Sequence, residues 1–258
     1  MFRGSHFAQL LAWSWSYLSS VSDAMALNAV FFELSGVIIN DGALRQRLLD
    51  ELLIGENLRP DPGEFDQVCR GRGDRTCLQM LLSRRGRVMG AEGLKKLLEL
   101  RSQRYQEGLA SLDRLPLYPG LEDFLYQLKV AQTPLGIVSG AQRGDVDWVL
   151  QRAKLATAFS ILVTAEDLSP GGDKPAGEGY EVAIARLQDQ YPDRFISPET
   201  CLAVESSFAG IAAAQAAGVP VVGVAHQYPY RMMQRRADVA VDYLNELDLD
   251  WLGRYYRD

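Results

Sequence analysis

The feature that most narrows the fold lies in the second half of the chain, where strand-like and helix-like segments alternate without a break. "PLGIVSG" reads as a strand ending at Ser139-Gly140, and "RGDVDWVLQRAKL" as the helix that follows. "FSILVTAEDL" is the next strand, "KPAGEGYEVAIARLQDQY" a turn entering a helix, and "TCLAVESS" a further strand. An alanine-rich helix, "AGIAAAQAAGV", ends at Gly218. "PVVGVA" and "ADVAVDYLNEL" then supply two more strands and a last short helix. Strands alternating with helices predict a parallel sheet with helices on both faces. The nearly unbroken apolar runs "FSILV" and "PVVGV" suit strands buried on both sides.

The first strand stands apart from this run. In "FFELSGVIINDG" an apolar strand, Ala29 to Leu34, carries Glu33 at its end and runs into a small-residue turn at Ser35-Gly36. From about residue 43 to residue 113 there is no strand signal. Leu44, Leu48, Leu49, Leu52 and Leu53 recur at helical spacing. "RPDPGEF" breaks the pattern as a loop, and Leu78 to Arg85 and Ala91 to Leu109 are again helical. These signals predict an α/β fold: a Rossmann-like, doubly wound parallel sheet built from residues 26–42 and 114–250, with a helical cap inserted over residues 43–113. Ligands of open parallel sheets sit at the carboxyl ends of the strands. Those ends carry Glu33-Leu34-Ser35, Ser139-Gly140, Glu205-Ser206 and the Lys174-Pro175 turn, so four distant loops should converge on one cleft under the insert.

Composition excludes several classes. A net charge of −6 gives no general attraction to nucleic acid or to an anionic membrane. Cys69, Cys77 and Cys201 are odd in number and scattered, and the chain has only His6 and His226. This argues for a reducing, cytoplasmic setting and against a disulfide framework or a structural zinc. No G-x-G-x-x-G or G-x-x-x-x-G-K-[ST] pattern occurs, so dinucleotide and P-loop readings lack support. Residues 1–25 read as an extension ahead of the core. A secretory signal and an amphipathic anchor are the alternatives, and the apolar run is too short to span a bilayer.

From about Ala26 to Leu247 the chain resembles the haloacid dehalogenase superfamily of phosphohydrolases, in particular its β-phosphoglucomutase-like branch with a helical cap. "ELSGVI" stands where that family has D-x-D-G-[TV]-[LI]. "IVSG" matches its second motif, "DKPAGEGY" its third, and "ESSFAGIAAAQAAG" its long fourth motif, usually EDSxxGIxAAxxAG. The resemblance implies a nucleophilic aspartate that forms an aspartyl-phosphate, and a second aspartate two residues on as acid and base. It also implies Ser/Thr and Lys holding phosphoryl oxygens, and an acidic cluster binding Mg²⁺. Carried onto this chain, Glu33 stands at the nucleophile, Ser35 at the acid/base, and Ser139 and Lys174 at the phosphate. Glu33, the Ser35 carbonyl, Glu205 and Ser206 stand at the metal. Gly36 and Gly140 fall beside the substrate. In the cap, "GRGDRTCL" resembles the branch's substrate loop, which nominates Arg72, Asp74 and Arg75; a solvated basic loop is the alternative.

Three acidic positions therefore differ from the family pattern. Glutamate adds a methylene, moving the carboxylate by about 1.5 Å, and a misplacement near 1 Å costs about 100-fold in rate. Serine at the acid/base position forfeits roughly 10²–10⁴-fold. Mg²⁺ favours carboxylates in tight octahedral geometry, so Ser206 weakens or abolishes its site. The expectation is a catalytically impaired member that binds a small phosphorylated metabolite or acts in regulation. One alternative is an altered small-metabolite phosphatase using Glu33, with Asp41, Asp167 or Asp173 as a relocated carboxylate. The other is an assembly partner that works through the cap or the N-terminal extension.

Overall fold

The computed structural model of the chain describes residues 27–249 and residue 252; the N-terminal extension expected over residues 1–25 lies outside the described residues. Six strands, β1 (Ala29–Phe32), β2 (Leu135–Val138), β3 (Ile161–Val163), β4 (Cys201–Glu205), β5 (Val221–Val224) and β6 (Val239–Val241), form one sheet in the order β3-β2-β1-β4-β5-β6. Every pairing is parallel, and Phe32 lies opposite both Ile137 of β2 and Val204 of β4. All residues of β1, β2, β4 and β5 are buried, as their apolar sequences require of central parallel strands.

Strand pleat divides the core in two. Val30, Phe32, Ile137, Val204 and Val222 face helices α4 (Leu121–Val130) and α5 (Arg143–Arg152) through Phe124, Leu128, Val146 and Val149. Ala29, Phe31, Val138, Val163 and Ala203 face α6 (Glu178–Gln190) and α7 (Phe208–Ala216) through Tyr180, Leu187, Ile211 and Ala214. The alanines of α7 let its backbone lie close to the sheet, and Ser207 caps the helix by accepting from the Gly210 amide at 3.0 Å. A five-residue helix, α8 (Tyr230–Gln234), follows β5. After β6 the chain makes one 3₁₀ turn, Leu244–Glu246, where the sequence suggests a short helix.

Between β1 and β2 the chain makes α1 (Gly42–Gly55), a π-helical turn at Phe65–Cys69, α2 (Asp74–Arg84) and α3 (Ala91–Ala110). These share their own apolar cluster, including Leu49, Leu53, Phe65, Leu78, Leu82, Leu94 and Leu98. A chain of buried charges ties them to the sheet-flanking helices. Arg45 of α1 pairs with Asp74 of α2 at 2.9 Å, and Asp74 faces Arg101 of α3 at 3.0 Å. Arg101 in turn pairs with Asp145 of α5, which also accepts from Ser102 Oγ at 2.5 Å and Gln106 Nε2 at 3.1 Å. Burial pushes Asp74 up, but Arg101 and Arg45 outweigh it and hold its carboxyl below the usual range.

Candidate functional site

Strand β1 ends at Phe32, two residues short of the apolar run, and the local hydrogen bonds show why. The Leu34 amide folds back onto Glu33 Oε1 at 2.7 Å. The Leu34 carbonyl accepts from the amides of Ile38 and Ile39, each at 3.0 Å, so the chain turns there instead of continuing in the sheet. Gly36 holds this turn at φ +89°, and a Cβ on it would stand 2.2 Å from Ser206 Oγ and 1.9 Å from Gln227 Nε2. Only glycine suits both the backbone and the space.

Glu33, at the carboxyl end of the central strand, is 5% exposed. Its Oε1 also accepts from Ser139 Oγ, at the end of β2, at 2.5 Å. Its Oε2 takes the Lys174 ammonium at 2.5 Å. Lys174 Nζ bonds Glu205 Oε1, at the end of β4, at 2.5 Å and the Val138 carbonyl at 2.9 Å. Tyr180 OH donates to the same Glu205 oxygen at 2.6 Å. Burial pushes Lys174 down, but Glu205 and Glu33 outweigh it and hold the ammonium above its usual value. Burial raises Glu205 against the pull of Lys174, and raises Tyr180 with help from Glu205. Glu205 Oε2 and Ser206 Oγ are buried and lack a hydrogen-bond partner.

The structure therefore brings Glu33, Ser139, Lys174 and Glu205 into direct contact, with Gly36 and Ser206 touching at the edge. Ser35 points elsewhere: its Oγ donates to Asp41 Oδ2 at 2.9 Å. Tyr105 of α3 donates to the same oxygen at 2.7 Å. Burial raises the Asp41 carboxyl, while Arg45 and these two hydrogen bonds pull the other way. His226 stacks on Tyr118 with ring centroids 3.7 Å apart and bonds the Gly36 carbonyl through Nδ1 at 2.9 Å; burial lowers its pKa. Among the described residues, no group of three or more His, Cys, Asp or Glu side chains is arranged to hold a metal ion.

The turn before α2 meets the strand-end loops here. Gly73 donates its amide to Asp173 Oδ2 at 2.8 Å, and a Cβ on it would meet the Gly140 carbonyl at 2.6 Å. Arg72 turns back to the Val68 carbonyl at 2.9 Å, and Asp74 is engaged with Arg45 and Arg101. Of the loop residues nominated for substrate, Arg75 reaches open space. It lines a cavity of about 370 Å³ with Thr76, Gln79, Gly140, Glu166 and Asp173. Sequence reasoning gave no role to Tyr180 or His226. Tyr180 falls at an apolar-face position of α6, where its hydroxyl gave no signal, and His226 is a lone histidine in a loop.

Comparison with known proteins then bears on the site. A family model described as haloacid dehalogenase-like hydrolase matches residues 27–218. β-Phosphoglucomutase from Bacillus subtilis strain 168 is 27% identical over 229 residues, 88% of this chain and 94% of that protein. Validoxylamine A 7'-phosphate phosphatase from Streptomyces hygroscopicus subsp. limoneus is 30% identical over 134 residues, 52% of this chain. That match spans only 58% of the relative's own length. Among solved structures, β-phosphoglucomutase from Clostridium difficile aligns with a TM-score of 0.77 at 20% identity, covering 90% of this chain and 97% of that one. CbbY from Rhodobacter sphaeroides, solved with xylulose-(1,5)bisphosphate, aligns with a TM-score of 0.74 at 18% identity, covering 86% and 96%. At those identities the two structures speak to the fold alone.

Proposed function

This chain belongs to the haloacid dehalogenase-like hydrolase family, and from that membership we propose that it is a small-metabolite-binding or regulatory protein whose phosphoryl-transfer chemistry is lost or strongly reduced. The observation that carries the reading is Lys174, whose ammonium lies 2.5 Å from a carboxylate oxygen of both Glu33 and Glu205. Glu33 Oε1 accepts two hydrogen bonds and Oε2 is paired with the Lys174 ammonium, so its negative charge is already committed to donors and its nucleophilicity is lowered. The family's phosphatases generally use Mg²⁺, which favours carboxylates in octahedral array. The donor set here does not fit that ion: two carboxylates already share an ammonium, and Ser206 brings no charge. Ser35 adds to the loss, since its hydroxyl proton is directed at Asp41.

The ligand in this reading enters the cavity of about 370 Å³ between the insert and the strand ends, where Arg75, Thr76, Gln79, Glu166 and Asp173 offer polar contacts. Treating residues 43–113 as a cap over that cavity is part of the proposal, supported by their separate apolar cluster. So is a cytoplasmic setting, supported by Cys69, Cys77 and Cys201, which are buried and form no disulfide. Among the described residues, no helix is long and apolar enough to cross a membrane. A second reading, an altered phosphatase, is favoured by one observation: Asp41 sits directly behind Ser35 and could pass a proton through it.

Thermal-shift measurements over a panel of small sugars and acids, phosphorylated and not, with Mg²⁺ present and phosphate release followed in the same wells, test the proposal. Stabilisation by some panel member without release is expected. Release by the wild type that disappears in Glu33→Ala would establish the second reading instead.

A further inference from the structure

Three donors converge on the two oxygens of Glu33: the Leu34 amide, the Ser139 hydroxyl and the Lys174 ammonium, at 2.7, 2.5 and 2.5 Å. A backbone amide, a hydroxyl and an ammonium aimed at one point form a donor set suited to a tetrahedral oxyanion. An ammonium has three protons to donate. Those of Lys174 go to Glu33, Glu205 and the Val138 carbonyl, leaving none for a ligand. Glu33, Ser139 and Lys174 are all nearly fully buried. The void beside them, lined by Ser139, Gly140, Asp173 and Lys174, measures about 10 Å³, room for one water at most. The cluster sets two carboxyl groups against one ammonium, so it carries no net positive charge to draw in a phosphate.

We infer that the Glu33 carboxylate is a built-in occupant of the oxyanion cradle, so that phosphate is refused by the wild-type protein and enters only when that carboxylate is removed. The substitution at the nucleophile position then does more than misplace a reacting atom. The longer side chain reaches the donors that would hold a ligand's phosphoryl group, and closes that half of the cleft. Ligands are read in the neighbouring cavity beside Arg75, and the cradle acts as a fixed internal ion cluster. This inference rests on the reading of Glu33 as a non-nucleophilic residue, but the two fail on different readouts.

Isothermal titration of inorganic phosphate into the wild type, Glu33→Ala and Glu33→Ala/Ser139→Ala, each with its fold checked by circular dichroism, is the test. No saturable binding to the wild type is expected, with a gain of at least about tenfold in affinity on removing the buried like charge. Most of that gain should vanish in the double variant. Glu33→Gln, which keeps the volume and removes the charge, carries the test if Glu33→Ala does not fold, with a smaller gain expected. Wild-type binding as tight as either variant's would overturn the inference, as would a gain that survives loss of Ser139. Wild-type phosphomonoester turnover abolished by Glu33→Ala would sink the proposed function instead, whatever the phosphate isotherms show.

Discussion

Arg101→Met is expected to destabilise the protein by about 3–5 kcal/mol, the cost of stripping one partner from a buried ion pair. Arg101 and Asp74 are each 1% exposed and Asp145 is fully buried, so neither carboxylate can turn to water when the guanidinium goes. Asp74 keeps Arg45 as a partner. Asp145 keeps only the neutral donors Ser102 and Gln106, both on α3. The damage therefore falls where the inserted helices meet α5. For a chain of this size the midpoint should drop by roughly 6–20 °C. Urea unfolding of Arg101→Met, Asp145→Leu and the double variant measures it. The double variant should be more stable than the sum of the single losses predicts, because it removes the stranded charge along with its partner. A single variant within about 0.5 kcal/mol of the wild type would mean that the charged chain does not hold the insert in place.

Restoring the family's acidic residues is the second large expected effect. Glu33→Asp with Ser35→Asp and Ser206→Asp should create Mg²⁺-dependent hydrolysis of phosphomonoesters at least about 100-fold above the wild type, the lower end of what a positioned acid/base contributes. The shorter aspartate withdraws from Ser139 and Lys174 and releases their donors. One neighbour limits the gain. Ser35 Oγ now donates to Asp41 Oδ2 at 2.9 Å, and an aspartate in its place would set two carboxylates against each other in a buried site. Adding Asp41→Asn, which keeps an oxygen for Tyr105 OH, should raise the rate beyond that of the triple variant. Phosphate release from p-nitrophenyl phosphate compares the three proteins. A triple variant no faster than the wild type, with no further gain from Asp41→Asn, would mean that the cleft no longer supports this chemistry.

Much of the fold could be read from the sequence because parallel strands buried on both faces are written as unbroken apolar runs. "PVVGV" and "TCLAV" carry no other reading at that length, and the alternation with helices orders them. The convergence of Glu33, Ser139, Lys174 and Glu205 follows from the same logic, since each ends a parallel strand or its following loop. What the sequence could not show is how those side chains use their hydrogen bonds. Whether Lys174 faces a ligand or joins two glutamates depends on angstrom-scale reach, which residue type alone does not give. Asp74 is the sharpest case. Its place in "GRGDRTCL" nominated it for a substrate, yet its partners Arg45 and Arg101 lie 29 and 27 positions away on other helices, beyond any local pattern. Asp41 was visible as a spare carboxylate, but its contact with Ser35 depends on the turn that Gly36 makes possible.

Whether the Lys174 ammonium has taken the cation's place between Glu33 and Glu205 can be measured by titrating Mg²⁺ into the wild-type protein calorimetrically, with Glu205→Gln as the control. No saturable binding through the millimolar range is expected, and the control should give the same flat trace. Saturable Mg²⁺ binding by the wild type that is lost in Glu205→Gln would contradict it, because the ion would then be displacing Lys174 and the metal half of the site would be intact.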